Sequence, residues 1–457
     1  MNARASAVGL GQPGAVAALG LTLVALCLGG AQSAAAAASL AMLLSLVLVF
    51  VAARSSGEAL VRFVNQYWLS IIAAVLFITY ATATAWIAPS GVSPFQGLWH
   101  PLWREMGLDH GAISIAPYRT IEGVVSLFAP LAAFALGALS VRTREDRRAL
   151  SMLLVAAAAI LGALSMYWLL TGADTRLMAQ FGSANAAATT FGVLALLLTA
   201  RLLRASRRPS ARVVAQVPPQ WRAIAAPLSA PLTFCVLALT LACLLLTGSR
   251  AGILATIVAF AIFAVLIWAP WRRAPDSAPF SRGTLLIIAA LALVLLVSGG
   301  QILFSRMLHV DADASVRTTL LDMHWRIFLD RPWIGHGLNT FHELNAHYLT
   351  PDTWRDAGYV GSTHNIYVQA LEEVGIVGFI LLTLMMAPVL LKTGANAVFR
   401  RSGSEWAAAA FAGAALALIH GVVDFGFQTP AIAALVMFSV GAFSNGAAVK
   451  RSIEPNQ

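Results

Sequence analysis

The sequence predicts an all-α membrane protein with about twelve transmembrane helices. Of its 457 residues, 59% are hydrophobic and only 11% are charged, and the mean hydropathy is +0.77. A soluble domain carries about a quarter charged residues, so this composition excludes an ordinary soluble enzyme. Each crossing needs roughly 20 apolar residues. Suitable runs lie at 15–31, 35–53, 67–88, 121–140, 150–171, 186–203, 227–247, 251–269, 284–304, 367–391, 405–421 and 429–447.

The distribution of basic residues gives these spans an orientation. If both termini are cytoplasmic, 21 of the 30 basic residues lie on the inner side, as the positive-inside rule requires. The other nine are all arginine and lie on the outer side. They are Arg104, Arg119, Arg176, Arg250, Arg306, Arg317, Arg326, Arg331 and Arg355.

A large outer loop at 305–366 divides the chain. Residues 1–304 hold the first nine spans, and residues 367–457 hold the last three spans and a cytoplasmic tail. A shorter outer segment, 89–120, is rich in aromatic residues, which prefer the membrane interface. We expect this segment to lie along the interface through Trp99, Trp103 and Tyr118.

The large loop is longer than an ordinary connection, which is typical of functional loops. Its residues 315–330 have the spacing of an amphipathic helix, ended by Pro332, Gly335 and Gly337. The predicted apolar stripe consists of Val316, Leu320, Met323 and Ile327.

Three outer arginines have positions that favour a function. Arginine combines a permanent charge with a rigid fork of donors that matches phosphate oxygens. Arg250 lies in the tight turn 248–252, Arg176 in the short turn 171–185, and Arg317 in the loop helix on the same face as His324. The alternative is that these side chains only reach toward lipid headgroups, as we expect of Arg104, Arg306 and Arg355.

His364 lies at the outer end of the tenth predicted span. Ser362 or Thr363 is expected to cap that helix and to place His364 in its first turn. The unpaired amides of a helix start favour an anion and disfavour imidazolium, so His364 would be available as a proton acceptor. The alternative is a histidine that only hydrogen-bonds the loop. Glu373 falls on nearly the opposite helix face and is expected to have a packing role.

The sequence predicts no metal and no cofactor. His342 and His347 with Glu343 match no zinc spacing, and the outer carboxylates form no evident site for a divalent ion. The cysteines, Cys27, Cys235 and Cys243, lie in apolar runs and indicate small buried side chains rather than disulfides or metal ligands.

Five segments, in order along the chain, resemble motifs of the O-antigen ligase and polymerase superfamily of bacterial envelope glycosyltransferases. They are Ile113–Thr120, Arg176 with Phe181–Ala187, Ser249–Gly252, Arg317–Phe341 and His364–Gly375. Each is predicted to lie at an outer face. Arg119 departs from the pattern, since a small residue is more usual there.

The resemblance implies a helical glycosyltransferase fold of the kind that depends on a lipid carrier. It also implies transfer of a glycan from undecaprenyl pyrophosphate on the periplasmic side of a Gram-negative inner membrane. We expect His364 as the proton acceptor and Arg250 as a catalytic charge. The expected diphosphate- or glycan-binding residues are Arg176, Arg317, Arg119, His324, His336, Asn185 and Asn365.

The sequence hypothesis is an O-antigen ligase that joins polysaccharide to lipid A–core. The expected partners are the lipid-linked polysaccharide, lipid A–core and membrane lipids, without nucleic acid. The long loop before the tenth span favours a ligase, but an O-antigen polymerase shares these features and remains the alternative. A flippase or transporter is the alternative from another class. It would need polar groups near mid-span and internal repeats, whereas only His420 lies deep within a span.

Overall fold

The computed structural model describes residues 11–91, 96–172, 176–206, 229–272, 311–399 and 403–444, which are almost entirely helical. The helices before the large loop are α1 (Gly11–Cys27), α2 (Ala34–Arg54), α3 (Gly57–Thr84), α4 (Pro101–Glu105), α5 (Pro117–Ser140), α6 (Arg144–Thr171), α7 (Ala184–Ser206), α8 (Ser229–Leu246) and α9 (Arg250–Arg272). Those that follow are α10 (Asp311–Asp330), α11 (Phe341–Tyr348), α12 (Trp354–Ala357), α13 (Ile366–Phe399), α14 (Ser404–His420) and α15 (Pro430–Ser444). The two-residue strands β1 (Ala88–Pro89) and β2 (His110–Gly111) pair antiparallel.

The apolar helices agree with the predicted spans. Among the described residues, seven helices are long and apolar enough to cross a membrane, namely α2, α3, α5, α6, α7, α9 and α13. Four shorter apolar helices, α1, α8, α14 and α15, match further predicted spans. The ninth predicted span, 284–304, lies outside the described residues. The chain is therefore a multi-pass helical membrane protein.

The third helix begins ten residues before the span predicted for it. The prediction began at Tyr67 because Glu58 and Arg62 interrupt the apolar run. These charges do not interrupt the helix, which starts at Gly57 and has a local departure from helical geometry at Tyr67 itself (φ −123°, ψ 18°). Hydropathy therefore located the apolar part of α3 but not its polar first turns.

The centre of the bundle is formed by α7, which is buried along its whole apolar length. A helix that is apolar all round must be covered on every side. Phe191, Leu194 and Leu198 are completely buried. Because Asn185 and Thr189 lie in the first turns of α7, this helix carries polar groups into the middle of one end of the bundle.

Helices α5 and α15 pack with their backbones nearly in contact. A Cβ atom at Gly137 would meet the carbonyl oxygen of Phe438, and one at Gly441 would meet the carbonyl oxygen of Phe134. The two glycines therefore permit a close approach that no other residue would. This packing joins the early part of the chain to its last described helix.

The large loop is attached to the bundle at a break in α13. Gly375 has φ 63° and ψ −176°, which interrupts the helical hydrogen bonds. Loop residues 332–337 replace them. Two amides after the break donate to Pro332 and Trp333 (2.8 and 3.2 Å), and two carbonyls before it accept from His336 and Gly337 (3.0 and 2.8 Å). The backbone groups freed by the break are thus satisfied by the loop.

Tyr80 of α3 also stabilises the attachment of the loop to α13. Its hydroxyl is the donor to the carbonyl oxygens of Ile334 (2.7 Å) and Val374 (2.9 Å). One side chain of the bundle therefore contacts both the loop segment and the broken helix.

The loop has a small apolar core of its own. Helix α10 starts four residues before the predicted start, and the predicted stripe faces inward as expected. Leu320, Met323 and Ile327 pack with Ile115 and Leu344 in this core. The expectation for the shorter outer segment was wrong for Trp99, which is buried. Tyr118 is exposed.

Replacing Tyr80 with Phe is expected to loosen the attachment of the loop. Loss of the part-buried Tyr80 donor costs about 1–3 kcal/mol, so the amides of His336 and Gly337 should exchange hydrogen roughly 5–150 times faster. Native-state hydrogen exchange measures this directly. The matched control is Tyr359→Phe, because Tyr359 lies on the same loop and is exposed. Equal protection of these amides in the two variants would show that the Tyr80 hydroxyl does not hold the junction.

Candidate functional site

The start of α13 is fixed by Asn365. Its Oδ1 accepts hydrogen bonds from the amides of Tyr367 (3.0 Å) and Val368 (3.1 Å), so Asn365 caps the helix. The prediction that Ser362 or Thr363 is the cap, with His364 in the first turn, was therefore wrong.

The reason lies in a competing local turn. Thr363 Oγ1 donates to the carbonyl of Asn365 (2.7 Å) and accepts from its amide (3.1 Å). Ser362 Oγ accepts from the amide of His364 (3.3 Å). Both hydroxyls are thus engaged before the helix begins, as short polar side chains commonly are.

His364 has a left-handed backbone conformation, with φ 54°. This conformation costs a non-glycine residue about 1–3 kcal/mol and occurs where the surroundings impose it. The imidazole packs edge-on against Phe425, with ring centroids 5.6 Å apart. Its Nδ1 lies 3.6 Å from Oδ1 of Asp424. The His364 side chain is 27% exposed and that of Asp424 only 1%, so the imidazole lies between a buried carboxylate and the open side.

Asp424 connects several turns of the bundle. Its Oδ1 accepts from Nδ2 of Asn185 (2.9 Å), and its Oδ2 accepts from the amide of Gly426 (2.9 Å). Oδ1 of Asn185 in turn accepts from Oγ of Ser249 (2.6 Å). The first turn of α7 and the turns before α9 and α13 therefore meet at the turn between α14 and α15. We call His364, Asp424, Asn185 and Ser249 the polar network.

The polar network keeps Asp424 ionised. Burial alone would raise the pKa of this carboxyl, but the nearby imidazoles of His364 and His420 and the amide of Asn185 outweigh burial and leave the pKa below its usual value. Groups that stabilise the ionised form of a carboxyl lower its pKa. Asp424 is therefore a carboxylate at neutral pH.

A second histidine lies beneath the network. His420 is buried, and its Nδ1 is 2.8 Å from Oγ1 of Thr189, which donates to the carbonyl of Asn185 (3.2 Å). Nδ1 of His420 is therefore the donor to Thr189, and its Nε2 has no hydrogen-bond partner among the described residues. A Cβ at Gly252 would lie 3.2 Å from the His420 ring, so this glycine leaves room for the imidazole beside α9.

Three predicted arginines surround the network. Arg176 donates from Nε to the carbonyl of Thr247 (3.0 Å), beside the turn that contains Ser249. Arg250 is the first residue of α9 and is half-buried. Arg317 is exposed on α10, near enough for its charge to act on His420. The sequence predicted that these three arginines share the outer side of the membrane with His364, but it did not indicate the contacts that position them.

Other predicted site residues have different surroundings. Arg119 pairs with Glu343 (2.9 Å) and Glu122 (3.1 Å), which ties α5 to α11. His324 is completely buried, with Nδ1 2.6 Å from a carboxylate oxygen of Glu372 and its ring stacked on Phe341. Burial lowers the pKa of His324 to about 4. These contacts lie outside the polar network.

His336 forms a buried chain with His100. Nε2 of His336 donates to the carbonyl of Ile327 (2.9 Å), so its Nδ1 must accept from Nε2 of His100 (3.0 Å). Nδ1 of His100 accepts from the amide of Leu102 (3.3 Å). Every ring nitrogen is satisfied with both rings neutral, and an added proton would place two donors face to face. Burial, followed by neighbouring positive charges, lowers the pKa of His100 to about 3. Burial lowers that of His336 to about 4.

Glu373 has the packing role predicted for it. It is buried, and its two carboxylate oxygens accept from the amide of Asn339 (2.7 Å) and from Nε2 of Gln369 (3.0 Å). It helps to fix the loop against α13 and does not orient His364.

Sequence reasoning missed Asp424 as the partner of His364. A signal was present, because Asp424 is the only charged residue between the last two apolar runs, at 421–429. Nothing in the sequence paired it with His364. Among the described residues, no group of three or more His, Cys, Asp or Glu side chains could hold a metal ion.

Fold and site together define a multi-pass helical membrane protein with a polar, arginine-rich site at one end of its bundle. A family model described as O-antigen ligase matches residues 235–383. This match confirms the predicted resemblance to the O-antigen ligase family and supports an O-antigen-ligase-type function at the level of the family. The matched range contains Arg250, Arg317 and His364, whereas Arg176, Asn185 and Asp424 lie outside it. No curated protein matches the chain.

The His100–His336 pair predicts a loss of stability in acid. Both pKa values are lowered, so the unfolded chain binds more protons than the folded one between about pH 6.5 and the folded values. This contribution is complete above about pH 6.5 and falls by up to about 1.4 kcal/mol per pH unit for each group as the pH decreases toward 4.

Thermal unfolding in detergent between pH 7 and 4.5 measures this effect. A His100→Gln/His336→Gln variant is expected to show a weaker dependence on pH. A His342→Gln variant should keep the dependence of the parent, because His342 is exposed on the same loop and does not contribute to the pKa shifts of His100 or His336. An unfolding temperature that is equally pH-dependent in all three proteins would contradict the assignment.

Proposed function

We propose that this protein transfers an O-polysaccharide from undecaprenyl pyrophosphate to a sugar hydroxyl of lipid A–core. The reaction is proposed to occur on the periplasmic face of a Gram-negative inner membrane. The family match supports the class of reaction. The observation that carries the proposal is the contact between the partly exposed His364 and the buried Asp424. Arg176, Arg250 and Arg317 lie at the same end of the bundle.

The histidine–carboxylate contact suits a general base. With Nδ1 facing Asp424, Nε2 of His364 is the nitrogen that can accept a proton from the attacking hydroxyl. The carboxylate stabilises the imidazolium that forms. A general base of this kind contributes about 10²- to 10⁴-fold in rate.

The transfer is a single displacement in this proposal. The acceptor oxygen forms a bond to the anomeric carbon while the bond from that carbon to the diphosphate oxygen breaks. The acceptor proton passes to His364, and undecaprenyl pyrophosphate leaves with the bonding electrons. Direct attack inverts the anomeric centre.

The charges around the site favour a diphosphate. Negative charge grows on the leaving group as the bond breaks, and fixed positive groups lower the barrier most when they are in place beforehand. Arg176, Arg250 and Arg317 supply full charges. The first turns of α7, α9 and α13 add the positive ends of three helix dipoles, because each helix starts beside the polar network. We propose a metal-independent reaction on this basis.

Asn185 receives a role that differs from the sequence hypothesis. Its amide lies between Ser249 and Asp424 and has both ends engaged. We therefore assign Asn185 to the positioning of Asp424 rather than to substrate binding. Asn365, whose side chain caps α13, is a positioning residue for the turn that carries His364.

Reconstitution into liposomes tests the proposed reaction. The purified protein is supplied with lipid-linked O-polysaccharide and either lipid A–core or a second lipid-linked repeat. We expect transfer to lipid A–core, lowered at least about 100-fold by His364→Gln. The control is His342→Gln, since His342 is an exposed histidine of the same loop.

Three results would contradict parts of this proposal. Transfer only to the lipid-linked repeat would make the protein a polymerase. Undiminished transfer by His364→Gln would remove the base. Loss of activity in EDTA, restored by a divalent ion, would refute the metal-independent reaction.

Asn185→Leu separates positioning from substrate binding. Loss of one buried donor to Asp424 costs about 1–3 kcal/mol, which corresponds to roughly 5- to 150-fold in kcat. The KM for the lipid-linked donor should change little, and Ser249→Ala should show the same pattern more weakly. The control is Thr190→Val, because within the described part of the chain this buried hydroxyl donates to the carbonyl of Ala186 in the same helix (2.9 Å). A raised KM with unchanged kcat would instead return Asn185 to substrate binding.

A further inference from the structure

Helix α10 has three faces rather than two. One face is buried in the loop core through Leu320 and Ile327. A second carries the exposed ion pair between Asp322 and Arg326 (3.0 Å). The third is apolar and uncovered. Its exposed side chains are Leu321 (41%), Trp325 (44%) and Leu329 (55%), followed by Trp333 (66%), and we call these four residues the outer stripe.

The spacing of the outer stripe gives it one direction. At roughly 100° per residue, side chains four apart differ by about 40°, so Leu321, Trp325 and Leu329 lie within about 80° of one another. The ion pair begins about 20° beyond this arc. An exposed apolar face of this kind, with two tryptophans, marks a surface that is covered by something other than water.

The outer stripe continues the lipid-facing surface of α13. The carbonyl of Trp333 accepts from the amide of Val377 (3.2 Å). From Val377, exposed apolar side chains follow one face of this transmembrane helix. They are Val377, Ile380, Leu384 and Leu391. Their spacing places them on one side of α13, as expected of residues that contact acyl chains.

A second group of exposed apolar residues adjoins the stripe. Arg331, two residues before Trp333, donates to the carbonyl of Ile113 (3.0 Å) and to that of Leu98. Leu98 is exposed, as are Trp86 and Ile87 just beyond the end of α3. The end of α10 therefore lies between uncovered apolar groups at the outer ends of two transmembrane helices.

We propose that α10 lies in the lipid interface of the outer leaflet, with the outer stripe among the lipids and the Asp322–Arg326 face toward water. Tryptophan is enriched at this depth, and helices with separate apolar and charged faces lie in the membrane plane. Lipid is favoured over a protein partner because the stripe is continuous with surfaces that a bilayer covers. The large loop is thus part of the membrane surface rather than a lobe in the aqueous phase.

This placement has a consequence for Arg317, which lies one turn before Leu321 on the same helix. Held at the level of the headgroups, its guanidinium would be near the depth of the diphosphate of a lipid carrier. This consequence rests on the proposed function, whereas the interfacial position of α10 does not.

Spin labels on the full chain in phospholipid bilayers test the position of α10. Single cysteines replace Leu321 or Leu329 on the outer stripe, and Asp322 or Arg326 on the charged face, after Cys27, Cys235 and Cys243 have been changed to Ala. Labels at Leu321 and Leu329 should be accessible to oxygen and protected from a nickel chelate. Labels at Asp322 and Arg326 should show the reverse.

Either of two results would overturn the inference. Nickel access at all four positions would place α10 in water. Protection of Leu321 and Leu329 from both reagents would mean that protein covers the stripe, whether another segment of this chain or a second copy. The readout needs no substrate, so its failure is distinct from failure of the proposed transfer.

A second measurement keeps the native cysteines in case the substituted chain does not fold. Brominated phosphatidylcholine should quench part of the tryptophan fluorescence of the parent protein. Trp325→Phe/Trp333→Phe should lower the quenched component, to which the exposed Trp68, Trp168 and Trp268 of the transmembrane helices also contribute. Trp406→Phe should not, because Trp406 is buried and stacked on Phe443. An unchanged quenched component in the double variant would overturn the proposal.

Discussion

The buried carboxylate of Asp424 requires the chain to supply partners from distant positions. A charge removed from water is costly unless hydrogen bonds and opposite charge replace its hydration. Asn185, the amide of Gly426 and the imidazole of His364 meet this requirement. Because these groups belong to separate turns, satisfying one carboxylate fixes where several helices begin relative to one another.

A second constraint is the attachment of the large loop at Gly375. Residues 332–337 enter the hydrogen-bonding pattern of α13 at its break, so the loop is fastened at its middle. One arm leads back through α10 to Arg317, and the other leads through α11 and α12 to His364. The same anchor therefore limits the position of a proposed diphosphate ligand and of the proposed base. His324 and His336 are buried within this attached loop.

Much of the fold could be predicted because hydropathy and charge act locally. Apolar runs located eleven helices, and the charge asymmetry indicated which turns share a side.

The candidate site could be predicted only in part. Arg176, Arg250 and His364 stood out by residue type and position, but the Asn185–Asp424 bond joins residues 239 apart, and no periodicity reports such a contact. The cap of α13 was missed because three neighbouring polar side chains are each suited to cap the helix, and only the backbone geometry decides which of them does so.

The close packing of α5 against α15 has a consequence for synthesis of the chain. Asn185 and Ser249 are made and inserted long before Asp424 and α15. Until then, the first turns of α7 and α9 lack the carboxylate that joins them, and α5 lacks the helix that fits against Gly137. The histidine and its carboxylate therefore come together only after Asp424 has been made. A nascent chain halted before Asp424 has the arginines and His364 but lacks the carboxylate of the polar network.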